Sequence, residues 1–296
     1  MDITFKRPAL EDRDTILKHL AERKLHGCER TFANVYLWAR FYNEGWAEIE
    51  GTAVFRTGQE GAYSYTYPIG AGDRKKVVEM LMEDAKEKGY PFQLHAVSKG
   101  EMEELESYFP GKFNVEWPRD LEDYVYETEK LINLSGKKYH GKKNHLNQFK
   151  AAYPDWKYET ITDENVEECF QMALSWRNHN GCEDDPEKNQ EMCVALNSLR
   201  LFKELHLKGG LLRVNGKVVA YTLGEPVSDD TFVVHIEKAY ADIRGAYTMI
   251  NQQFLEHEVK DYTYVNREED TGDEGLRTAK LSYRPVFMVE KGIVTL

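Results

Sequence analysis

Hydrophobic and polar positions over the last third of the chain predict a β-hairpin followed by mixed elements. Apolar runs at residues 211–214 and 218–221 flank Asn215-Gly216, a pair that tolerates the positive φ of a two-residue turn. Downstream, the pattern changes between a period of two and a spacing of three to four residues. The predicted order is strand, helix, strand, short helix and strand, over residues 231–236, 242–258, 262–268, 276–283 and 286–289.

The third predicted strand runs into a helix that opens at Arg244-Gly245. Backbone N–H groups at the N-terminus of a helix bind anions, so this turn is a candidate anion site. Polar side chains at the ends of the neighbouring strands would then face the bound group. The alternative is an ordinary helix start.

The first part of the chain has its own order of strands and helices. A strand at residues 3–5 precedes a helix with Ile16 and Leu20 on one face, and a later helix stops at Gly89. The other predicted elements are a three-stranded meander, that later helix and a β-α-β ending, over residues 46–49, 53–56, 62–67, 73–88, 92–97, 101–108 and 112–117.

A boundary at residues 118–123 separates this pattern from the rest. We therefore predict two domains, residues 1–122 and 123–296, in agreement with the length of 296 residues, which favours about two domains. The second domain begins with a strand at residues 124–126. A lysine-rich segment, a strand at residues 157–161 and two helices around a polar loop follow.

Charge and composition exclude several functions. The net charge of −12 argues against a DNA-binding protein and against adhesion to anionic lipid through the overall field. We find no apolar signal core and no run of about 18 apolar residues, so we expect a soluble, cytoplasmic protein without a membrane-spanning segment. The four cysteines lack C-x-x-C spacing, which indicates reduced thiols and no zinc site. P-loop, G-x-S-x-G and HExxH motifs are absent from the sequence, and we expect no metal.

The lysine-rich segment is the sharpest local anomaly in the sequence. Residues 130–154 contain six lysines, two histidines and no carboxylate. Clustered lysines bind phosphates as point charges, so the segment is a candidate polyanion site for a CoA-like donor or for tRNA. A solvated helix face that balances an acidic surface is the alternative.

Three strings carry a resemblance to a known family. They are LSGKKYHGKKNHLNQF at residues 134–149, HIEKAY at residues 235–240 and YVNREEDTG at residues 264–272 with the segment that follows it. They resemble the C-terminal domain of the phosphatidylglycerol lysyltransferases. This resemblance implies an α+β (mixed α/β) fold of two tandem domains that resemble acyl-CoA N-acyltransferases (GNAT), each a mostly antiparallel mixed sheet flanked by helices.

The resemblance also implies catalytic residues. Glu237 lies at the end of the central strand, where many GNAT enzymes place the general base, although an ion pair with Lys238 or Arg244 would explain it equally. Asn266 and Glu268 share one face of the next predicted strand, from which Arg267 points away. Glu268 and the acids after it form a candidate acidic rim for an amine, with a solvated acidic loop as the alternative.

Tyr283 ends the last helix, where GNAT enzymes often place the acid for the leaving group. Arg284-Pro285 follow it in place of the usual Gly-Phe. His235 is expected to be a half-buried histidine with its hydrogen bonds satisfied.

The donor-binding residues implied by the resemblance are cationic or flank the Arg-Gly turn: Lys142, Lys143, Arg244, Gly245 and Lys280. Arg277 lies one turn from Lys280 and is a further candidate, with a plain surface cation as the alternative for both. Further glycines usually follow in acetyltransferases, but Ala246-Tyr247 follow here, which favours a donor other than acetyl-CoA.

We therefore predict an enzyme that transfers an acyl or aminoacyl group to an amine or hydroxyl of a small-molecule acceptor. The donor would be a CoA thioester or an aminoacyl-tRNA that acts as a substrate, with no tightly bound cofactor. A conventional acetyl-CoA-dependent N-acetyltransferase and a non-catalytic GNAT-like binding module are the alternatives. The sequence leaves the oligomeric state open.

Overall fold

The computed structural model describes residues 3–296, and the chain forms two compact units. Unit 1 contains the described residues of Met1–Asp123 together with Glu269–Arg277 and Met288–Leu296. Unit 2 contains Tyr124–Glu268 and Thr278–Phe287. The predicted boundary lies after residue 122, and the first crossing between the units lies after Asp123. The chain differs from the prediction in that two later segments of residues 123–296 return to unit 1.

Unit 1 is built on a mixed sheet in the strand order β1-β2-β3-β5-β14-β6, with β4 paired to β2. Its strands are β1 (Gly45–Ile49), β2 (Thr52–Gln59), β3 (Ala62–Thr66), β4 (Ile69–Gly70), β5 (Gln93–Val97), β6 (Asn114–Glu116) and β14 (Gly292–Thr295). Its helices are α1 (Arg13–Leu20), α2 (Phe32–Trp38), α3 (Arg74–Lys88) and α4 (Lys99–Tyr108). Only β3 and β5 pair in parallel within the described part of this sheet.

Local sequence signals explain where helix α3 of unit 1 begins and ends. The Asp73 side chain accepts a hydrogen bond from the Lys76 N–H at the start of α3, and Gly89 ends that helix with φ of +78°. Both are common terminal signals, because the first satisfies an orphan N–H and the second needs no Cβ in the left-handed region. The apolar face of α3 then buries Val78 and Leu81 in the core of the unit.

Several parts of unit 1, including the short strand β4, differ from the sequence prediction or were missed by it. Residues 3–5 form no strand, and a single bridge joins Lys6 to Trp46 instead. The short helix α2 was not predicted. The final strand β14 was also missed, and it lies inside the sheet between β5 and β6.

Unit 2 contains most of a second sheet, in the strand order β13-β7-β12-β11-β10-β9-β8. The strands are β7 (Asp123–Glu127), β8 (Lys157–Thr160), β9 (Lys208–Val214), β10 (Lys217–Pro226), β11 (Thr231–Ala239), β12 (Tyr264–Asn266) and β13 (Phe287–Val289). The helices are α5 (Thr128–Asn133), α6 (His140–Ala152), α7 (Val166–His179), α8 (Pro186–Arg200), α9 (Ala246–Phe254) and α10 (Glu274–Leu281). A π-helical turn, Leu255–Val259, extends α9.

The hairpin predicted around Asn215-Gly216 is confirmed as β9 and β10. β11 pairs antiparallel with β10 and parallel with β12, and α9 lies between β11 and β12 in the chain. Among the strand pairings described, each sheet is mostly antiparallel with one parallel pair, so the predicted fold class is confirmed. Among residues 3–296, no helix has the length and apolar character needed to cross a membrane.

Candidate active site

The candidate site of unit 2 lies where β11 and β12 separate. The two strands pair for only three residues each, and the last pair is Val233 with Asn266. Beyond it, β11 continues to Ala239 along β10, whereas β12 has ended. Beyond this pair, in the described chain, β11 and the residues after β12 are connected by charged side chains and not by backbone hydrogen bonds.

Glu237, on the separated part of β11, forms a buried ion pair with Arg267. Glu237 Oε1 accepts a hydrogen bond from Arg267 Nη2 at 2.9 Å, and Glu237 Oε2 accepts one from Asn251 Nδ2 of α9 at 3.2 Å. The Arg267 and Glu237 side chains are 13% and 12% exposed. An ion pair was the expected alternative to a base role for Glu237, but the expected partner was Lys238 or Arg244.

Arg267 was expected to point away from the site, and the structure corrects this. β12 ends at Asn266, and Glu268 has a left-handed backbone with φ of +60°, so strand alternation stops there. The Asn266 side chain accepts a hydrogen bond from the Glu268 N–H at 2.6 Å and closes this turn. Arg267 and Glu268 consequently both reach β11, where Glu268 binds His235.

Tyr283 and Lys142 complete the charged cluster. Tyr283 is buried, and its hydroxyl lies 3.4 Å from the Thr248 hydroxyl of α9. Lys142 Nζ, from the lysine-rich helix α6, lies 3.8 Å from the centroid of the Tyr283 ring. The Arg267 guanidinium carbon lies 4.9 Å from the same centroid. We refer to Lys142, Glu237, Arg267 and Tyr283 as the splay cluster.

Burial and charge set the protonation of the splay cluster. Burial and the neighbouring Arg267 lower the pKa of Lys142 to about 8, against the opposing effect of Glu237. Burial raises the pKa of Tyr283, so its phenol stays protonated at neutral pH. Arg267 Nη1 is buried and, within residues 3–296, has no hydrogen-bond partner. A buried N–H of this kind favours any ligand that supplies an oxygen.

A second polar group lies beside the splay cluster. His235 Nδ1 is 2.7 Å from Glu268 Oε1, and His235 Nε2 is 3.2 Å from Glu225 Oε1. Burial alone would lower the pKa of His235, but the two carboxylates outweigh it and raise the pKa to about 10. His235 is therefore a buried cation at neutral pH. Glu268, predicted to recognise an amine, already binds this internal cation.

The charge on His235 should make stability depend on pH. Because its pKa rises from 6.5 to about 10 on folding, its stabilisation is complete below about pH 6.5 and is lost as the pH rises through about 10. At 1.36 kcal/mol per pKa unit, the loss is on the order of 3–5 kcal/mol. The measurement is urea unfolding from pH 6 to 10.

The double variant Glu225→Gln/His235→Gln should lose this pH dependence relative to the unmodified protein. Taking the difference between the two proteins cancels other titrating groups such as Lys142, and the double change avoids leaving Glu225 buried and unpaired. His140→Gln, at an exposed position, is the matched control. Parallel stability curves for the unmodified protein and the double variant would contradict the assignment.

The predicted phosphate-binding residues are not gathered at one point. Gly245 has φ of +86°, and a Cβ there would lie 2.6 Å from the His145 carbonyl oxygen. The backbone of α6 therefore occupies the space beside Gly245, and no room for a phosphate remains there. Arg244 and Lys143 are exposed. Burial, Lys142 and Arg244 together lower the pKa of His145, which indicates a positive potential along α6.

Lys280 and Arg277, the remaining donor-binding candidates, have structural partners. Lys280 Nζ donates to the carbonyl oxygens of Arg267 and Glu268 at 2.7 and 3.1 Å, so it holds the turn that carries both side chains. Arg277 pairs with Asp270 within unit 1. Asp270 is buried, so it is not part of a solvated acidic rim.

A possible metal-ligand set occurs in unit 1, but a lysine lies among its members. Cys28, Asp123 and Glu269 offer ligand atoms within 4.8 Å of one another. Lys291 Nζ lies 2.6 Å from Asp123 and 3.3 Å from Cys28 Sγ. Nearby carboxylates and Cys28 raise the pKa of Lys291 despite its burial. A buried ammonium at this position neutralises the acids as a metal would, so the residues do not fit a metal site.

The sequence did not predict that Arg267 pairs with Glu237 or that the Lys142 side chain contacts Tyr283. A signal for Arg267 existed, since an arginine just after a buried strand and opposite a strand carboxylate is a natural ion-pair partner. No comparable signal distinguished Lys142 from Lys143. Thr248 and Asn251, which bind Tyr283 and Glu237, were also missed within the predicted helix.

Comparisons with known proteins agree with this fold. The family model of the phosphatidylglycerol lysyltransferase C-terminal domain matches residues 20–294. A conserved protein of unknown function from Bacteroides thetaiotaomicron VPI-5482 is similar over 100% of both chains, with 39% identity and a TM-score of 0.94. L-PGS from Bacillus licheniformis shares the fold, with 15% identity and a TM-score of 0.67 over 98% of this chain and 92% of that chain.

A curated relative, an uncharacterised protein of Mycoplasmoides gallisepticum, is 26% identical over 175 residues, which are 58% of this chain and 55% of the relative. The chain thus spans about half the length of that relative. The matched family model covers nearly all of the chain, and the resemblance seen in the three sequence strings is confirmed. The chain belongs to the phosphatidylglycerol lysyltransferase C-terminal family.

Proposed function

We propose that unit 2 transfers an aminoacyl group from aminoacyl-tRNA to an amine or hydroxyl acceptor at the splay cluster. The observation that carries this proposal is the unpartnered, buried Nη1 of Arg267 beside Lys142 and Tyr283. An acyl transfer develops negative charge on the carbonyl oxygen, and a fixed cationic donor stabilises that oxygen most effectively in a water-poor site. Glu237, which accepts a hydrogen bond from Asn251, fixes the orientation of the guanidinium.

In this proposal Lys142 accepts the proton of the acceptor, and Tyr283 donates a proton to the leaving group. The acceptor attacks the carbonyl carbon of the aminoacyl ester, and its proton passes to neutral Lys142, whose pKa of about 8 suits a base near neutral pH. The ester C–O bond breaks, and the leaving ribose oxygen takes a proton from the Tyr283 phenol. Lys142 then returns its proton to the Tyr283 phenolate, which restores both groups. Glu237 keeps its predicted base role as the competing assignment.

Two features favour aminoacyl-tRNA over a CoA thioester as donor. The backbone of α6 occupies the space beside Gly245 in which the pyrophosphate of CoA would have to bind. Exposed lysines continue along the segment that delivers Lys142 to the cluster, at positions 137, 138, 143 and 150. Such a row of cations suits the extended phosphate backbone of an acceptor stem.

The test is a transfer assay with radiolabelled aminoacyl-tRNAs, each charged with a different amino acid. Phosphatidylglycerol vesicles, chosen because of the family to which the chain belongs, and a panel of small amines serve as acceptors. We expect label to leave tRNA for one acceptor, with an apparent affinity for tRNA that falls steeply as salt rises. Parallel reactions with CoA thioesters are followed by thiol release. Thiol release without tRNA deacylation, or tRNA binding that does not respond to salt, would contradict the proposal.

A further inference from the structure

Unit 1 contains a small cavity that is separate from the splay cluster. Its volume is about 160 Å³, and it is lined by Phe5, Arg7, Ala39, Arg40, Asn43, Glu44, Gly45 and Arg56. A cavity of roughly this size holds a molecule as large as benzene in a well-studied case. Three of the lining residues are arginines, which gives the cavity a positively charged lining.

Arg56, on β2, is the most rigidly held of the three arginines. Its guanidinium carbon lies 4.5 Å from the centroid of the Phe5 ring and 4.0 Å from that of the Tyr63 ring. Stacking on two rings fixes the planar group without using its hydrogen-bond donors. Arg56 Nε is buried and has no hydrogen-bond partner within residues 3–296.

The surrounding groups leave the positive charge uncompensated. Among the described residues, no carboxylate forms an ion pair with Arg7, Arg40 or Arg56. Glu44 is the one acid in the lining, and burial raises its pKa to about 8. At neutral pH it is therefore protonated and can donate a hydrogen bond rather than repel an anion.

The loop that forms one wall is held in place. Asn43 Nδ2 donates to the Gly58 carbonyl at 2.8 Å, and the Gly58 N–H donates to the Tyr42 carbonyl at 3.0 Å. The Glu44 N–H donates to the Ala39 carbonyl at 2.8 Å. These bonds connect the turn after α2 to the β2–β3 hairpin, so the wall is preformed.

We propose that this cavity is a binding site for a small oxyanion, a carboxylate or a phosphate group, recognised by Arg7, Arg40 and Arg56. A planar guanidinium with free N–H groups matches the oxygens of either anion. The site lies in unit 1 and does not depend on the transferase function proposed for unit 2.

The experiment is titration calorimetry of the full chain with inorganic phosphate and, separately, with acetate, against chloride at matched ionic strength. We expect at least one oxyanion to bind with millimolar or better Kd. Arg56→Met, and independently Arg7→Met/Arg40→Met, should weaken that binding at least tenfold. The double variant keeps the question testable if loss of the Arg56 stacking prevents folding, since Arg7 and Arg40 are exposed.

Arg200→Met is the matched control, because Arg200 is an exposed arginine that also stacks on an aromatic ring, Phe170 at 4.9 Å, but belongs to unit 2. It should leave the Kd unchanged. Phosphate binding alone assigns a phosphate site, and acetate binding alone a carboxylate site. Absence of binding by both anions, or equal binding by the unmodified protein and both unit 1 variants, would overturn the proposal.

Discussion

Replacing Lys142 by methionine is expected to lower kcat of the proposed transfer by about 10²–10⁴-fold, the usual contribution of a positioned acid or base. The lysine lies against Tyr283 in a partly buried position, and its lowered pKa gives it a neutral fraction near physiological pH. Methionine keeps the length and apolar stem of the side chain but cannot carry a proton. Single-turnover measurements with the best donor–acceptor pair of the transfer assay provide the rate.

The matched control is Lys143→Met, which removes the same charge from the next position of α6, where the side chain is exposed. It should weaken tRNA binding modestly and leave kcat close to that of the unmodified protein. The kcat/KM of the unmodified enzyme should rise with pH and level off near pH 8. This rising limb of the pH profile should be absent in Lys142→Met. If Glu237→Gln removes the limb and Lys142→Met retains it, the base is Glu237.

Replacing Arg267 by methionine should reduce the free energy of unfolding by about 3–5 kcal/mol, because Glu237 would remain buried without its charge partner. Asn251 alone would then satisfy the Glu237 carboxylate. Urea unfolding of the purified variant at neutral pH measures this difference.

Removing both charges with Glu237→Met/Arg267→Met should recover most of the lost stability while activity stays absent, since two apolar side chains leave no unpaired charge. Arg213→Met is the comparison for an ion pair nearer the surface. Its partners Glu159 and Glu168 are 33% and 52% exposed, and we expect a loss of about 1 kcal/mol. Equal losses for Arg267→Met and Arg213→Met would show that burial does not distinguish the two pairs.

The sequence predicted those elements whose signals are local. The helix α3 has its cap at Asp73 and its stop at Gly89, and the β9–β10 hairpin has Asn215-Gly216 at its turn, so neighbouring residues determine them. The strand β14 depends on pairing with β5 and β6, which lie roughly 180 to 200 residues away along the chain. Pairing between residues that are far apart in the chain produces no pattern in a short stretch of sequence, so β14 was not predicted.

The sequence predicted the strands that carry the candidate site residues but not the contacts between those residues. Glu237 was expected at a strand end but lies within β11, which continues to Ala239, whereas Asn266 does end β12. The partner of Glu237 was missed because a single left-handed residue, Glu268, ends the alternation and turns Arg267 inward. Sequence also could not show which lysine of a cationic helix faces the protein, since Lys142 and Lys143 differ only in position.

The place of β14 in the sheet has a consequence for biosynthesis. Because this strand lies between β5 and β6, unit 1 cannot complete its sheet until residue 295 has emerged from the ribosome. Until then, β5 and β6 each present an unpaired edge, the kind of surface that promotes aggregation of nascent chains. Unit 1 is therefore expected to complete its fold after unit 2, although most of its residues are translated before those of unit 2.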